Sequence, residues 1–159
     1  MALATFGAGC FWGVEYFFRQ INGVINATSG YMGGDVSKIR YEEVKTGDTG
    51  HAEVVCVEYD DSIVSYDELL DVFWSNHNPT TLNQQGEDVG HQYRSVVFYH
   101  DELQRELAEK SKQELITNGK WGERKIVTEI VEKQEFIAAE DYHQNYIIKN
   151  DLPSCHISF

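Results

Sequence analysis

Cys10 stands in GCFWGVE, residues 9–15, between a glycine and the aromatic pair Phe11 and Trp12. From Cys10 onward, Phe11, Val14, Phe17, Phe18 and Ile21 keep the spacing of one helix face until Asn22–Gly23 ends the pattern. A cysteine at a helix start meets amide N–H groups that lack intrahelical acceptors. Those donors and the helix dipole favour thiolate over thiol and lower the cysteine pKa, which suits a nucleophile. A lone cysteine is as often a small buried hydrophobe, so position alone leaves both uses open. Core packing accounts for Phe17 and Phe18. Phe11 and Trp12, in the turn beside the sulfur, could wall an apolar pocket for a methyl or thioether group.

Glu53 is the carboxylate with the least expected surroundings, in a strand otherwise made of Ala52, Val54, Val55, Cys56 and Val57. Desolvation there raises a carboxyl pKa and leaves a proton available to a general acid. A glutamate at a strand end that reaches water is the simpler account of Glu53 taken alone. Tyr41, Asp88 and Tyr93 fall in loops and could add hydrogen bonds to a pocket. Cys56 follows the strand alternation and is expected to face the core. Cys155, in the irregular tail LPSCHISF, has little to bury it and has the character of a resolving thiol. The six histidines are scattered, and spacing places none beside Cys10 as a hydrolase would require.

The elements that must position these residues read as one domain over residues 1–159. The chain is 42% hydrophobic and 13% aromatic, which excludes disorder. A net charge of −13 argues against nucleic-acid binding, which needs cations to neutralise phosphates. No apolar run is long enough for a membrane span, and MALATFGAGC lacks a signal peptide's basic start and apolar core, which favours the cytoplasm. Three well-separated cysteines without a CxxC, and no Cys/His cluster at zinc spacing, speak against a disulfide framework or a metal centre.

Strands are expected at ALATFGA, VINATSGY, HAEVVCVEYD, YRSVVFYH and KIVTEIVE. HAEVVCVEYD is apolar on both faces and should be central in its sheet. Helices are expected from Cys10 to Ile21, at SYDELLDVFWSNH with Ser65 and Glu68 at capping-box spacing, at DELQRELAEKSKQELITN, and at AAEDYHQNYIIKN. Two long loops, one glycine-rich and one spanning NPTTLNQQGEDVGHQ, are suspect as functional. The order β-α-β-β-α-β, then further elements, is that of an α+β ferredoxin-like sandwich.

GCFWG, GDTGHAEVV, NPTTLNQQGEDVGHQYRS and AAEDYHQNY together resemble the A-type peptide methionine sulfoxide reductases. The resemblance covers nearly the whole chain. It implies that Cys10 attacks the sulfoxide sulfur of the S epimer, in proteins or free, and becomes a sulfenic acid while methionine leaves. Phe11 and Trp12 would hold the methyl group, Glu53 would protonate the oxygen, and Tyr41 and Tyr93 would hydrogen-bond it. Asp88 would help bind the substrate. Cys155 would form a disulfide with Cys10 for thioredoxin to reduce, so the enzyme, expected as a monomer, needs no cofactor beyond an external reductant such as thioredoxin or dithiothreitol. The chain departs from the usual family pattern at Asn78, Glu87 and His91, none of them assigned to catalysis. Two other readings compete: a thiol peroxidase, disfavoured by the aromatic pair, and a redox-sensing or peptide-binding module in which Cys10 only reports oxidant.

Overall fold

In the computed structural model, which describes residues 2–34 and 50–150, strand β1 covers Ala2–Ala8, helix α1 Phe11–Arg19, β2 Val24–Met32 and β3 Ala52–Tyr59. Helix α2 covers Tyr66–Ser75, and the short strands β4 and β5 cover Gln84–Gln85 and Asp88–Val89. Strand β6 covers Ser95–Tyr99, helix α3 Glu102–Thr117, β7 Glu129–Glu132, β8 Ile137–Ala138 and helix α4 Tyr146–Lys149. The main sheet runs in the order β7-β6-β1-β3-β2-β8. Its pairs are antiparallel except β6 with β7. The inner four strands are the ferredoxin-like set. As expected, β3 is central, between β1 and β2.

Alternation along the strands sorts the core into two faces. Ala4, Phe6 and Ala8 of β1, Tyr31 of β2 and Val55 and Val57 of β3 meet Phe18, Leu69, Phe73 and Ala108 from the three longer helices. The opposite face gathers Met32, Ala52, Val54, Val96 and Phe98 under Phe136. Phe6 stacks on Phe18 at 5.0 Å and on Phe73 at 5.2 Å. Truncating such a ring to alanine costs about 3–5 kcal/mol.

The helix ends follow their side chains. Ser65 Oγ accepts the Glu68 N–H at 3.1 Å, as the capping-box spacing implied. Asp101 does the same for Gln104 at 2.8 Å. Gly119, at φ 74°, supplies the left-handed residue after the C-cap of α3.

Four expectations need correction. The strand read at KIVTEIVE is confined to Glu129–Glu132. The one read from Tyr93 begins at Ser95, because His91–Tyr93 winds into a 3₁₀ turn. AAEDYHQNYIIKN is not one helix: β8 precedes it, Asp141–His143 forms a 3₁₀ turn, and Asn145 at φ 58° interrupts the winding before α4. Cys56 is half-buried and shares the face of Val54, away from the helices. Burial there pushes its thiol pKa up.

Candidate active site

Cys10 caps α1 at the top of β1, half-buried, with Gly9 at φ 97° turning the chain between strand and helix. Its carbonyl accepts the Val14 N–H at 3.3 Å, closing the first helical turn. The next amide has an acceptor of its own: Phe11 N–H donates to Glu53 Oε1 at 3.2 Å, across 42 residues of sequence. Glu53 lies near the start of β3, 1% exposed, on the face the helices cover. A fully buried carboxyl therefore sits against the helix terminus beside Cys10. Gly7 allows the close approach, since a Cβ there would lie 3.2 Å from the Glu53 carbonyl oxygen and 2.7 Å from Val96 Cγ1.

The two aromatics divide. Phe11 has no exposed surface and packs on Tyr31 at 5.6 Å and His143 at 5.2 Å. Trp12 is half-buried. Its indole stacks on Tyr146 at 3.9 Å, 11° from parallel, and its Nε1–H donates to His143 Nδ1 at 3.0 Å. An indole N–H only donates, so neutral His143 carries its proton on Nε2. That nitrogen faces Glu140 Oε2 at 3.4 Å. The same oxygen accepts the Tyr31 hydroxyl at 3.1 Å. Tyr31 pairs with Glu53 in the β2–β3 ladder. Burial, then the Glu140 and Glu53 carboxyls, push its pKa well above the usual tyrosine range, so the phenol stays a donor.

The loop from Asn78 to Tyr93 is built rather than slack. Asn78 Oδ1 accepts the Thr80 N–H at 2.9 Å, an oxygen's role that an aspartate would fill equally. The Gln85 side chain grips the Asn78 backbone through both its N–H and its C=O. The stems are tied by His77, whose Nδ1 lies 2.6 Å from Phe73 O and whose Nε2 lies 2.7 Å from Ser95 Oγ. Ser95 Oγ in turn meets Thr128 Oγ1 at 2.7 Å. Asp88 is exposed in the β4–β5 hairpin, while Tyr93 is half-buried at the end of the 3₁₀ turn that packs against β3. Arg94, buried, donates from Nη1 to His91 O at 3.1 Å and holds that turn down. Tyr41 and Cys155 lie outside the described residues.

Of the residues singled out in the sequence, Cys10, Phe11, Trp12 and Glu53 are thus brought to one place. Tyr31, Glu140, His143 and Tyr146 join them without having been assigned roles. Three of these four lie in the AAEDYHQNY stretch, which carried part of the family resemblance, and that stretch was the available signal.

A helix-capping cysteine, a buried carboxyl on the next amide and an aromatic wall on a ferredoxin-like sheet define a thiol-dependent oxidoreductase. The model of the peptide methionine sulfoxide reductase family matches residues 2–159, and the chain belongs to that family. The chain is 54% identical over 154 residues to the peptide methionine sulfoxide reductase MsrA of Methanothermobacter thermautotrophicus, covering 97% of this chain and 90% of that one. Among solved structures it resembles reduced Mxr1 from Saccharomyces cerevisiae, with a TM-score of 0.89 and 38% identity over 96% of this chain and 87% of that one. It also resembles Mxr1 in complex with Trx2, with a TM-score of 0.65 and 25% identity over 99% of this chain and 88% of that one.

Proposed function

We propose that Cys10, Glu53 and Cys155 carry, in this chain, the reaction of its family: thiol-dependent reduction of methionine sulfoxide to methionine. The observation that carries the reading is the 3.2 Å bond from Phe11 N–H to Glu53 Oε1, which seats a buried carboxyl beside the helix-capping thiol. The Cys10 thiolate attacks the sulfoxide sulfur while the amides of the α1 terminus stabilise negative charge there. The sulfoxide oxygen leaves sulfur only when protonated, and Glu53 gives that proton. The oxygen passes as hydroxyl from the substrate sulfur to the Cys10 sulfur, the transient bond between the two sulfurs breaks, and methionine departs, leaving Cys10 as a sulfenic acid. The Cys155 thiol then displaces water from it and forms the Cys10–Cys155 disulfide. Two electrons from a thioredoxin dithiol return both cysteines to thiols.

Trp12, with Phe11 beneath it, holds the S-methyl group, and Tyr41, Asp88 and Tyr93 bind the oxygen and the substrate backbone. One pocket that fixes methyl, oxygen and lone pair around a chiral sulfur selects the S epimer. The external reductant is a thioredoxin, in keeping with Mxr1 having been captured with Trx2. Among the described residues no helix is long and apolar enough to cross a membrane. We place the enzyme in the cytoplasm, as one domain acting as a monomer.

The test is a dithiothreitol-driven assay on separated methionine sulfoxide epimers, with turnover of the S form only expected; equal rates on both would remove the single-pocket reading. Cys155→Ser should release one methionine per enzyme and then stall with thioredoxin while dithiothreitol still sustains turnover. Undiminished thioredoxin-driven turnover, or a Cys10–Cys56 disulfide by mass spectrometry, would assign resolution elsewhere.

A further inference from the structure

We propose that Gln144 is a positioning residue for this site, its side-chain amide standing in for a peptide unit beside Ser29 and so setting the turn that faces Trp12. The inference rests on the reading of Trp12 and Phe11 as walls around the substrate methyl, since that turn is in contact with both rings. Strands β2 and β8 pair at Gly30 with Ala138 and at Tyr31 with Ile137. One more rung follows, Ala139 N–H to Ser29 O at 2.9 Å, and the chain then leaves the sheet. It returns at Gln144. The Gln144 Oε1 accepts the Ser29 N–H at 2.9 Å, and its Nε2 donates to Ser29 O at 2.8 Å and to Ala139 O at 3.1 Å. A side-chain amide has the same donor and acceptor as a peptide, so it continues the ladder that the main chain abandons.

The excursion it closes is Glu140–His143. Those four residues include the carboxylate that holds the Tyr31 hydroxyl and the imidazole that holds the Trp12 indole. The third polar group of Ser29 fixes helix α1, because Ser29 Oγ donates to Glu15 Oε1 at 2.8 Å. Glu15 is 1% exposed on α1, and its other oxygen takes Arg19 Nε at 2.9 Å. Trp12 and Glu15 are three residues apart on α1 and share a side of it. Helix α1 and the turn are therefore both registered on one residue, the helix through the Ser29 hydroxyl and the turn through Gln144. Their relative placement sets where the Trp12 indole stands, since His143 of the turn holds its Nε1–H.

The chemistry of Gln144→Glu separates positioning from general stability. An ionised carboxylate still accepts the Ser29 N–H but repels the Ser29 and Ala139 carbonyls. A protonated one regains a donor for Ser29 O. The dissociation constant of a methionine-sulfoxide peptide is measured in a Cys10→Ser background, so the thiol does not react. Each variant is referred to the background at the same pH, which cancels titration of Glu15, Glu140 and His143. A methyl-sized contact in a fitted hydrophobic pocket is worth roughly 10–200-fold, so with the Trp12 wall displaced both Gln144→Glu and Gln144→Met should bind about tenfold or more weakly near pH 8. As pH falls toward about 5, within reach of a carboxyl that faces two carbonyls, Gln144→Glu should recover while Gln144→Met stays weak. Wild-type-like binding by Gln144→Met overturns the proposal, and this arm decides alone if the glutamate variant does not fold. A Gln144→Glu defect that does not change with pH overturns it as well. Trp12→Ala in the same background tests the wall itself: unaltered affinity there breaks the substrate reading, whatever Gln144 does.

Discussion

The site and the opposite end of the same helix-covered core each bury a tyrosine, and they provide for it differently. Tyr31 has no exposed surface and gives its hydroxyl to Glu140 at 3.1 Å, in a group that also contains His143 and, one rung across, Glu53. Tyr66, 6% exposed, stacks on Phe6 at 5.9 Å, and its buried hydroxyl has no hydrogen-bond partner among the described residues. Burial raises the pKa of both phenols, with carboxylates adding to it. The difference lies in what the hydroxyl does. At the site a donor is kept neutral and aimed at a carboxylate, an arrangement with a use. In the core the ring fills space and the oxygen is tolerated.

The sharpest separation between the two regions is kinetic. Glu53→Gln keeps an oxygen to accept the Phe11 N–H, so the fold should be little changed. It removes the transferable proton, and a positioned acid is worth roughly 10²–10⁴-fold, so first-turnover release of methionine should slow by about 10²-fold. Rapid-quench measurement at wild-type speed would move the acid to another residue.

Tyr31→Phe comes next. It removes the hydrogen bond to Glu140, worth about 0.5–1.5 kcal/mol, or up to about 3 where a charged partner is involved. Glu140 is 31% exposed and regains water, which holds the loss toward the lower end. Because Glu140 also faces His143, the turn opposite Trp12 loosens, and the KM for the sulfoxide should rise several-fold by the logic of a displaced positioning group. Denaturant unfolding and steady-state kinetics on one preparation check both halves. A stability loss with unmoved KM would reduce Tyr31 to the same packing role as Tyr66.

The same contrast explains what was legible in the sequence. Rings that fill space announce themselves by period: Phe11, Val14, Phe17 and Phe18 gave α1, and Val54–Val57 gave a central strand. Ser65 and Glu68 gave a cap because both partners lie within one turn. Contacts between distant segments left no such trace. The Phe11 N–H was expected among donors serving Cys10, but it bonds Glu53, 42 residues away. His77 and His143 looked alike as isolated histidines. One ties Phe73, Ser95 and Thr128 together beneath a loop, and the other holds Trp12. The β4–β5 hairpin has two residues per strand, too few for alternation to show. The segment after Ala138 read as a helix because its substitute for a ladder rung is a side chain, Gln144, which no backbone period encodes.

The smallest effect expected is at Tyr66, and it should have the opposite sign. Tyr66→Phe keeps the ring against Phe6 and deletes a buried hydroxyl that lacks a partner. Leaving such a group unsatisfied costs about 1–3 kcal/mol less whatever contact the oxygen retains, so the variant should be equal to the parent or more stable by about 1 kcal/mol near pH 8. Alkali should widen the gap. An unfolded tyrosine ionises near pH 10, whereas burial, then Tyr59 and Asp101, hold folded Tyr66 protonated well above that. Above about pH 10 the unfolded chain therefore binds fewer protons than the native one, and stability falls as pH rises, by up to about 1.4 kcal/mol per pH unit for this group. Phenylalanine removes that share of the fall, while the shares of Tyr31 and Tyr59 persist. Urea midpoints of parent and variant near pH 8 and near pH 11 give the comparison directly. A variant less stable by more than about 1 kcal/mol at the lower pH would show that the Tyr66 oxygen has a partner in solution and that both ends of the core bury their tyrosines for a hydrogen bond.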